Sequence, residues 1–235
     1  IYTHISYRMN DIKQLPINFS FYEIKSFFNF IPGNNIFIIE TLRRVANENS
    51  HNLIFLVGAT SSGKTHLCSS TYEESKKNKL YYTAENIHKL NRENIEDIEL
   101  LILDDFDIII NNHDLEDMLF YIINDLMIRK KSIFLTSSIP VNEINFKLKD
   151  LKTRVCSDQI LEIKELDDSE KINLLHKIAK NRGWILPDKV SKFILNHFDR
   201  DLYFLCNVIK SIDERSLSEK KNITIPFIKK IIKSR

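Results

Sequence analysis

The stretch Gly58-Ala59-Thr60-Ser61-Ser62-Gly63-Lys64-Thr65 follows directly on the apolar run Leu53-Ile54-Phe55-Leu56-Val57 and fits the phosphate-binding pattern G-x-x-x-x-G-K-[ST]. No other feature constrains the chain as strongly. An apolar run that ends at a glycine and passes into a helix is a strand, loop and helix unit, and such units build parallel sheets covered by helices. The chain has only four glycines, and two of them stand at the spacing the pattern demands. Gly58 is expected to let the chain turn out of the strand, and the amides from about Thr60 through Ser61, Ser62 and Gly63 to Lys64 to point inward as an anion nest. Gly63 should let the backbone approach phosphates without a Cβ, at the positive end of the helix that begins there. Lys64 is then placed for the β- and γ-phosphates and the Thr65 hydroxyl for Mg²⁺. The chemistry implied is binding of a nucleoside triphosphate or diphosphate. Kinases, transporters, GTPases and motor ATPases share this cradle, so the rest of the chain must choose among them.

At 235 residues, with 43% hydrophobic and 28% charged residues, the chain has the balance of an ordinary globular protein large enough for one α/β domain or two small ones. Its 34 basic and 32 acidic residues leave a net charge of +2. No global field therefore favours nucleic acid, and protein partners are the better expectation. Cys68, Cys156 and Cys206 have no metal-type spacing and lie in apolar segments, which predicts reduced core cysteines and a cytoplasmic location. No apolar run reaches the roughly 18 residues that span a bilayer, and no signal-peptide pattern is present. The chain opens on Ile, and Met9 is a candidate native start.

A polar leader to about Asn35 precedes helical spacing over residues 36–47. Strands are expected at Leu53–Val57, Leu80–Thr83, Leu100–Leu103, Ser132–Thr136 and Gln159–Ile163, with a helix from Lys64 to about Lys76 and a helical stripe at Leu115, Met118, Leu119, Ile122, Ile123 and Leu126. Strands alternating with helices predict a parallel sheet covered on both faces. Past Leu166 the pattern becomes wholly helical. A helix over Asp168–Lys180 stops at Gly183, Pro187-Asp188 opens another, a third covers about Asp201–Arg215, and Thr224 with Pro226 opens a fourth.

The apolar run Leu100-Leu101-Ile102-Leu103 ends in Asp104 and Asp105. With a phosphate loop in the chain, a strand tip carrying carboxylates is the expected second half of the site: Asp104 would meet Thr65 across Mg²⁺, and Asp105 would orient or polarise an attacking water. The bland reading is an Asp pair that opens a turn. Asp105 is one methylene shorter than the glutamate common in active ATPases of this kind, which argues against fast turnover.

Taken together, these residues resemble the AAA+ ATPases, and among them the bacterial DnaA group. Leu101-Ile102-Leu103-Asp104-Asp105-Phe106 is similar to the DnaA-type Walker B, Ile133 to Ser138 to the sensor 1 strand, and Leu151-Lys152-Thr153-Arg154 to the segment carrying the arginine finger. Phe30-Ile31-Pro32-Gly33-Asn34, Asp199-Arg200-Asp201 and Thr224-Ile225-Pro226-Phe227-Ile228 resemble the short, Hda-type members of that group. The resemblance runs from about Phe19 to Lys233. It implies an α/β AAA+ P-loop fold, a parallel sheet flanked by helices, over residues 21–165, and a small all-helical lid over residues 166–235.

The resemblance carries further expectations. Gln14-Leu15-Pro16-Ile17-Asn18-Phe19, in a leader of residues 1–20, is similar to the motif that docks on the replication sliding clamp, with Gln14 at a pocket rim and Leu15, Ile17 and Phe19 in apolar pockets. Arg154, which by itself reads as a solvated surface residue, would face the γ-phosphate of nucleotide bound to a neighbouring subunit and complete the active site of DnaA in trans. The cofactors implied are ATP or ADP with Mg²⁺. Phe30, Ile31 and Pro32 are candidates for the base pocket; the competing reading of that aromatic cluster is core or an exposed docking face. Two positions depart from the pattern. Ser138 replaces the sensor 1 aspartate, and Tyr203 stands where the lid arginine belongs, with Arg200 three residues earlier as a candidate substitute. Both departures suit a protein that uses nucleotide as a structural switch and hydrolyses little of it.

The chain ends after the lid-like segment without a basic helix-turn-helix, so sequence-specific DNA binding is not expected. The partners implied are DnaA and the sliding clamp. A homodimer is compatible with the symmetric assembly common in this class, although no residue pattern fixes the stoichiometry. An adaptor without catalytic consequence and a self-assembling helicase loader are the other readings left open. His66 is expected to be a helix residue near the site, Trp184 a core anchor of the lid, and Lys229, Lys230, Lys233 and Arg235 a solvated helix face.

Overall fold

The computed structural model describes residues 25–49, 51–110, 113–219 and 223–233. Five strands, β1 (Leu53–Val57), β2 (Lys79–Tyr82), β3 (Leu100–Leu103), β4 (Ser132–Ser137) and β5 (Gln159–Glu162), form one sheet in the order β2-β3-β4-β1-β5. Every pairing is parallel. Helices α1 (Ile36–Asn47), α2 (Lys64–Glu74), α3 (Phe106–Ile109), α4 (His113–Ile128) and α5 (Lys149–Val155) belong to this part. Helices α6 (Asp168–Asn181), α7 (Asp188–His197), α8 (Leu202–Glu219) and α9 (Ile225–Lys233) follow.

The period of two along each strand divides the core into two layers. Phe55, Leu101, Leu103, Ile133 and Leu135 pack with Leu119, Ile122, Ile123 and Leu126 of α4 and with Leu151 and Val155 of α5. The intervening residues Ile54, Leu56, Leu100, Ile102 and Phe134 pack with Ile38, Leu42 and Val45 of α1 and with Leu67 and Cys68 of α2. Both faces being covered explains why the inner strands read as unbroken apolar runs. Each such buried side chain contributes about 1.5–3 kcal/mol. β5 is an edge strand in which half-buried residues alternate with exposed ones.

Helices α6–α9 have their own core around Leu175, Ile194, Leu205, Ile209, Ile212 and Ile228, with Trp184 packed against it. A capping box opens α6: the Asp167 carboxylate accepts from the Glu170 amide at 2.8 Å and the Glu170 carboxylate accepts from the Asp167 amide at 2.7 Å. Gly183, at φ +81°, follows its end.

Several boundaries differ from the sequence expectations. β2 begins at Lys79, α2 stops at Glu74 because Ser75 turns extended, and α8 runs on to Glu219. Of the three cysteines only Cys68 is buried; Cys156 and Cys206 are half-buried, so the expectation of three core cysteines is corrected. No described helix is long and apolar enough to cross a membrane.

Candidate functional site

The loop after β1 is stitched to the sheet before it curls. The Gly58 amide donates to the Ser137 carbonyl at 3.1 Å, and the Ser62 amide donates back to the Ala59 carbonyl at 3.1 Å. Ser61 and Gly63 both adopt positive φ, 63° and 103°. Left-handed residues among right-handed ones turn successive amides to one side, the geometry of an anion nest. The first amides of α2 then lie at its N-terminus without partners inside the helix.

Two glycines are required here for reasons the pattern alone does not give. Gly58 is not at positive φ; a Cβ there would meet Ile163 Cγ2 at 1.9 Å and Ser62 Oγ at 2.6 Å. Its role is close packing of the loop on β5's end. At Gly63 the backbone is left-handed and a Cβ would stand 2.8 Å from Phe30 Cε2. The segment before α1 is thereby laid against the phosphate loop.

Lys64 is only 5% exposed, and its ammonium donates to the carbonyls of Gly58 at 2.8 Å and Ala59 at 3.0 Å. Burial pushes its pKa below the ordinary lysine value, opposed by the carboxylates of Asp105, Asp107 and Asp104. The buried cation and the nest of amides favour phosphate charge, and the three acids favour a cation beside it.

At the tip of β3, Asp104 is 1% exposed and held on both sides. Its Oδ1 accepts from the Thr136 hydroxyl at 2.5 Å and its Oδ2 from the Tyr81 hydroxyl at 3.0 Å. Thr136 Oγ1 in turn accepts from the Asp105 amide at 3.1 Å. Asp105 takes a left-handed conformation, φ 55°, ψ 49°, as it opens α3. Burial and the neighbouring Asp104 charge raise its pKa, with Lys64 opposing. The oxygen donors of Thr65 and Asp104 fit Mg²⁺, a hard cation that is bound through one or two carboxylates with phosphates and waters completing its shell. Among the described residues no cluster of three or more His, Cys, Asp or Glu forms a metal cage of its own.

These elements border a cavity of about 460 Å³ between the sheet and the C-terminal helices. Thr60 to Thr65, Asp105 and Ser138 line its inner wall, Phe30 and Ile31 one side, and Leu174, Lys177, Ile178, Tyr203 and Cys206 the side formed by α6 and α8. Pro32 is not on the wall; it precedes the 3-10 turn Gly33–Asn35, so the sequence expectation for Pro32 is corrected. Phe30 also lies 5.4 Å, centroid to centroid, from the His66 ring. The Lys177 ammonium crosses to the Phe28 carbonyl at 2.6 Å, bridging the two parts of the chain beside the cavity.

Arg200 is not on the main cavity wall. It borders a smaller cavity over Thr60, Ser61 and Ser62 together with Lys171, and its guanidinium is paired with Asp168 at 3.0 Å. Arg154 is exposed on α5, and its guanidinium makes no ion pair or hydrogen bond with the described residues. Gln14, Leu15, Ile17 and Phe19 lie outside the described residues.

Sequence reasoning missed Asp107, Tyr81, Lys171 and Lys177. Asp107, whose carboxylate accepts from the Ser138 amide at 3.2 Å, was signalled by its place three residues past Asp104. Tyr81 carried no signal, because its meeting with Asp104 depends on strand register.

Residues 22–161 match the model of the bacterial DnaA ATPase domain, and residues 168–232 that of the Hda lid domain. A protein of Haemophilus influenzae described as uncharacterized is 30% identical over 227 residues, covering 94% of this chain and 98% of its own. Among solved structures, domain III of the replication initiation protein DnaA from Thermotoga maritima is 20% identical with a TM-score of 0.79, over 89% of this chain and 96% of that one. AMPPCP-bound DnaA from Aquifex aeolicus is 24% identical with a TM-score of 0.70, over 80% of this chain and 64% of that one. The RuvB Holliday junction branch migration motor of T. maritima shares the fold more distantly, at 17% identity and a TM-score of 0.65, over 89% of this chain and 72% of that one. The phosphate loop, the paired aspartates, the five-stranded parallel sheet and the helical C-terminal part thus belong together: the chain is a member of the DnaA-related AAA+ family, of the Hda type.

Proposed function

We propose that this protein is a nucleotide-dependent regulator of the replication initiator. It holds ATP or ADP with Mg²⁺ in the cleft, docks on the DNA-loaded sliding clamp through residues 14–19, and presents Arg154 to ATP bound by DnaA, which then hydrolyses it. The observation that carries this reading is Arg154 itself, an exposed guanidinium without a partner among the described residues, on a helix fixed by buried Leu151 and Val155. A cation held ready on a rigid element and left unpaired in its own chain suits a partner's phosphates.

In this reading the leader spans residues 1–20, the nucleotide-binding part 21–165 and the lid 166–235. The nest at Thr60 to Lys64 binds phosphate, and Lys64 exchanges its carbonyl partners for phosphate oxygens. Phe30 and Ile31 cover the base, and Thr65 and Asp104 hold Mg²⁺, which supplies neutralisation of phosphate charge. The AMPPCP held by DnaA of A. aeolicus supports the choice of an adenine nucleotide. Three features support slow hydrolysis by the chain itself: the short Asp105 side chain, Ser138 in place of a carboxylate, and Arg200 already paired with Asp168. Arg154 would stabilise transition-state charge in the neighbouring site, an effect worth about 10³ to 10⁵ in rate for arginines supplied in trans. Its partners place it in the cytoplasm.

The test is hydrolysis of ATP pre-bound to DnaA, with and without this protein, in the presence of DNA-loaded clamp and ADP. Clamp-dependent stimulation is expected. Binding to DnaA without stimulation would instead make the chain an adaptor, and DNA-stimulated turnover by the isolated chain would make it a loader-like motor.

A further inference from the structure

Asp104 sits on the middle one of three strands, and each neighbour sends it one hydroxyl. β3 pairs with β2 on one side, Ile102 opposite Tyr81, and with β4 on the other, Leu103 opposite Leu135. The residue after Leu135 is Thr136, so the two hydroxyls converge on one carboxylate from opposite sides, at 2.5 Å and 3.0 Å. Ser69 lies near the Tyr81 hydroxyl and the buried Cys68 near the carboxylate, both on α2, the helix that begins with Lys64 and Thr65. The Tyr81 ring is itself wedged against Tyr72, with centroids 6.0 Å apart.

We infer that Tyr81 is a positioning residue for the Mg²⁺-binding carboxylate: its hydroxyl locks the Asp104 rotamer and links it to the helix that carries Thr65. The inference rests on the nucleotide and Mg²⁺ reading above. A carboxylate has about four lone-pair sites. Two are occupied by hydroxyl donors, one on each oxygen, which fixes the plane of the group and leaves each oxygen with a lone pair for a cation. Without Tyr81 the carboxylate keeps only the Thr136 hydroxyl as a short anchor and can rotate about its Cβ–Cγ bond. Partners of this kind, one bond removed from the cation, typically change metal affinity by about 10–100-fold when removed. A purely structural role for Tyr81 would alter stability and leave the metal dependence of ligand binding untouched.

The experiment is titration of the full chain with a fluorescent ADP analogue, once with Mg²⁺ and once with EDTA, for wild type and Tyr81→Phe. Wild type is expected to bind more tightly with Mg²⁺. Tyr81→Phe should bind within about twofold of wild type in EDTA and lose about tenfold of the Mg²⁺ advantage. An undiminished Mg²⁺ advantage in Tyr81→Phe overturns the inference and leaves the nucleotide reading intact. Wild type that binds no nucleotide overturns both, and wild type that binds it equally in EDTA overturns the inference together with the Mg²⁺ part of that reading. If Tyr81→Phe does not fold, Ser69→Ala removes only the group behind the hydroxyl. It should reduce the Mg²⁺ advantage in the same direction, and an unchanged advantage there also overturns the inference.

Discussion

The Phe30 ring covers Gly63 so closely that a Cβ on the glycine would stand 2.8 Å from Phe30 Cε2, while Gly63 itself holds φ at +103°. The second glycine of the phosphate loop thus answers two demands, one conformational and one steric, and the steric one comes from a segment more than thirty residues earlier. Gly63→Ala is expected to cost roughly 1–2 kcal/mol from the backbone alone, with the overlap on Phe30 added to it, and to weaken nucleotide binding. Phe30→Ala in the same chain removes the overlap and leaves the backbone strain, so the double variant should recover part of the stability. Thermal melts of the single and double variants check this; a Gly63→Ala protein as stable as wild type would contradict it.

Asp105 gives a pH dependence of definite sign. Its pKa is raised above 3.8 in the fold by burial and by Asp104. Between 3.8 and the raised value the folded state binds more protons than the unfolded one, so stability falls as pH rises through that window. Above the window the ionised carboxylate is a standing cost. Asp105→Asn removes that cost, and Asn tolerates the left-handed conformation at this position. At pH 7 the variant should melt slightly higher than wild type, roughly 1–2 °C, and the gap should close as pH falls towards 3.8. A melting temperature below that of wild type at neutral pH would refute the electrostatic account.

Much of this site is written locally. The phosphate loop and the aspartate pair are short strings whose chemistry follows from spacing, and the apolar runs before them, continuous because both sheet faces are covered, place them at strand ends. Tyr81 and Thr136 could not be assigned in this way. Their convergence on Asp104 depends on which strands are neighbours and in what register, a property of the folded sheet. Pro32 fell the other way. The sequence groups it with Phe30 and Ile31, which do line the cavity, but the chain turns into a 3-10 helix directly after it and takes it off the wall. Gly58 was identified from the pattern, yet the reason for it is the Ile163 side chain at the end of a strand a hundred residues later.

Besides the packing of Leu151 and Val155, a buried acid restrains the segment that leads into α5. Glu116 of α4 is 1% exposed, and its two oxygens accept from the amides of Lys147 at 3.0 Å and Leu148 at 2.7 Å, just before α5 begins. Glu116→Gln turns an amide NH₂ towards one of those N–H donors. The expected cost is about 1–3 kcal/mol, measurable by urea unfolding. Because the loop leading to Arg154 loosens, stimulation of the partner ATPase should also fall although Arg154 is intact. Unchanged stability would show that the two backbone contacts do not restrain the loop.

The central claim is that Arg154 acts on nucleotide bound by another protein. Arg154→Ala should leave the stability of this chain within about 0.5 kcal/mol of wild type, since the side chain is exposed and forms no hydrogen bond or ion pair with the described residues. Its binding of ADP should be unchanged too. The decisive measurement is the rate at which ATP-loaded DnaA hydrolyses its nucleotide with DNA-loaded clamp, ADP and either wild type or Arg154→Ala. The account predicts clear stimulation by wild type and a loss of it, by about 10³-fold in the chemical step, with the variant. Equal stimulation by the two proteins would contradict it.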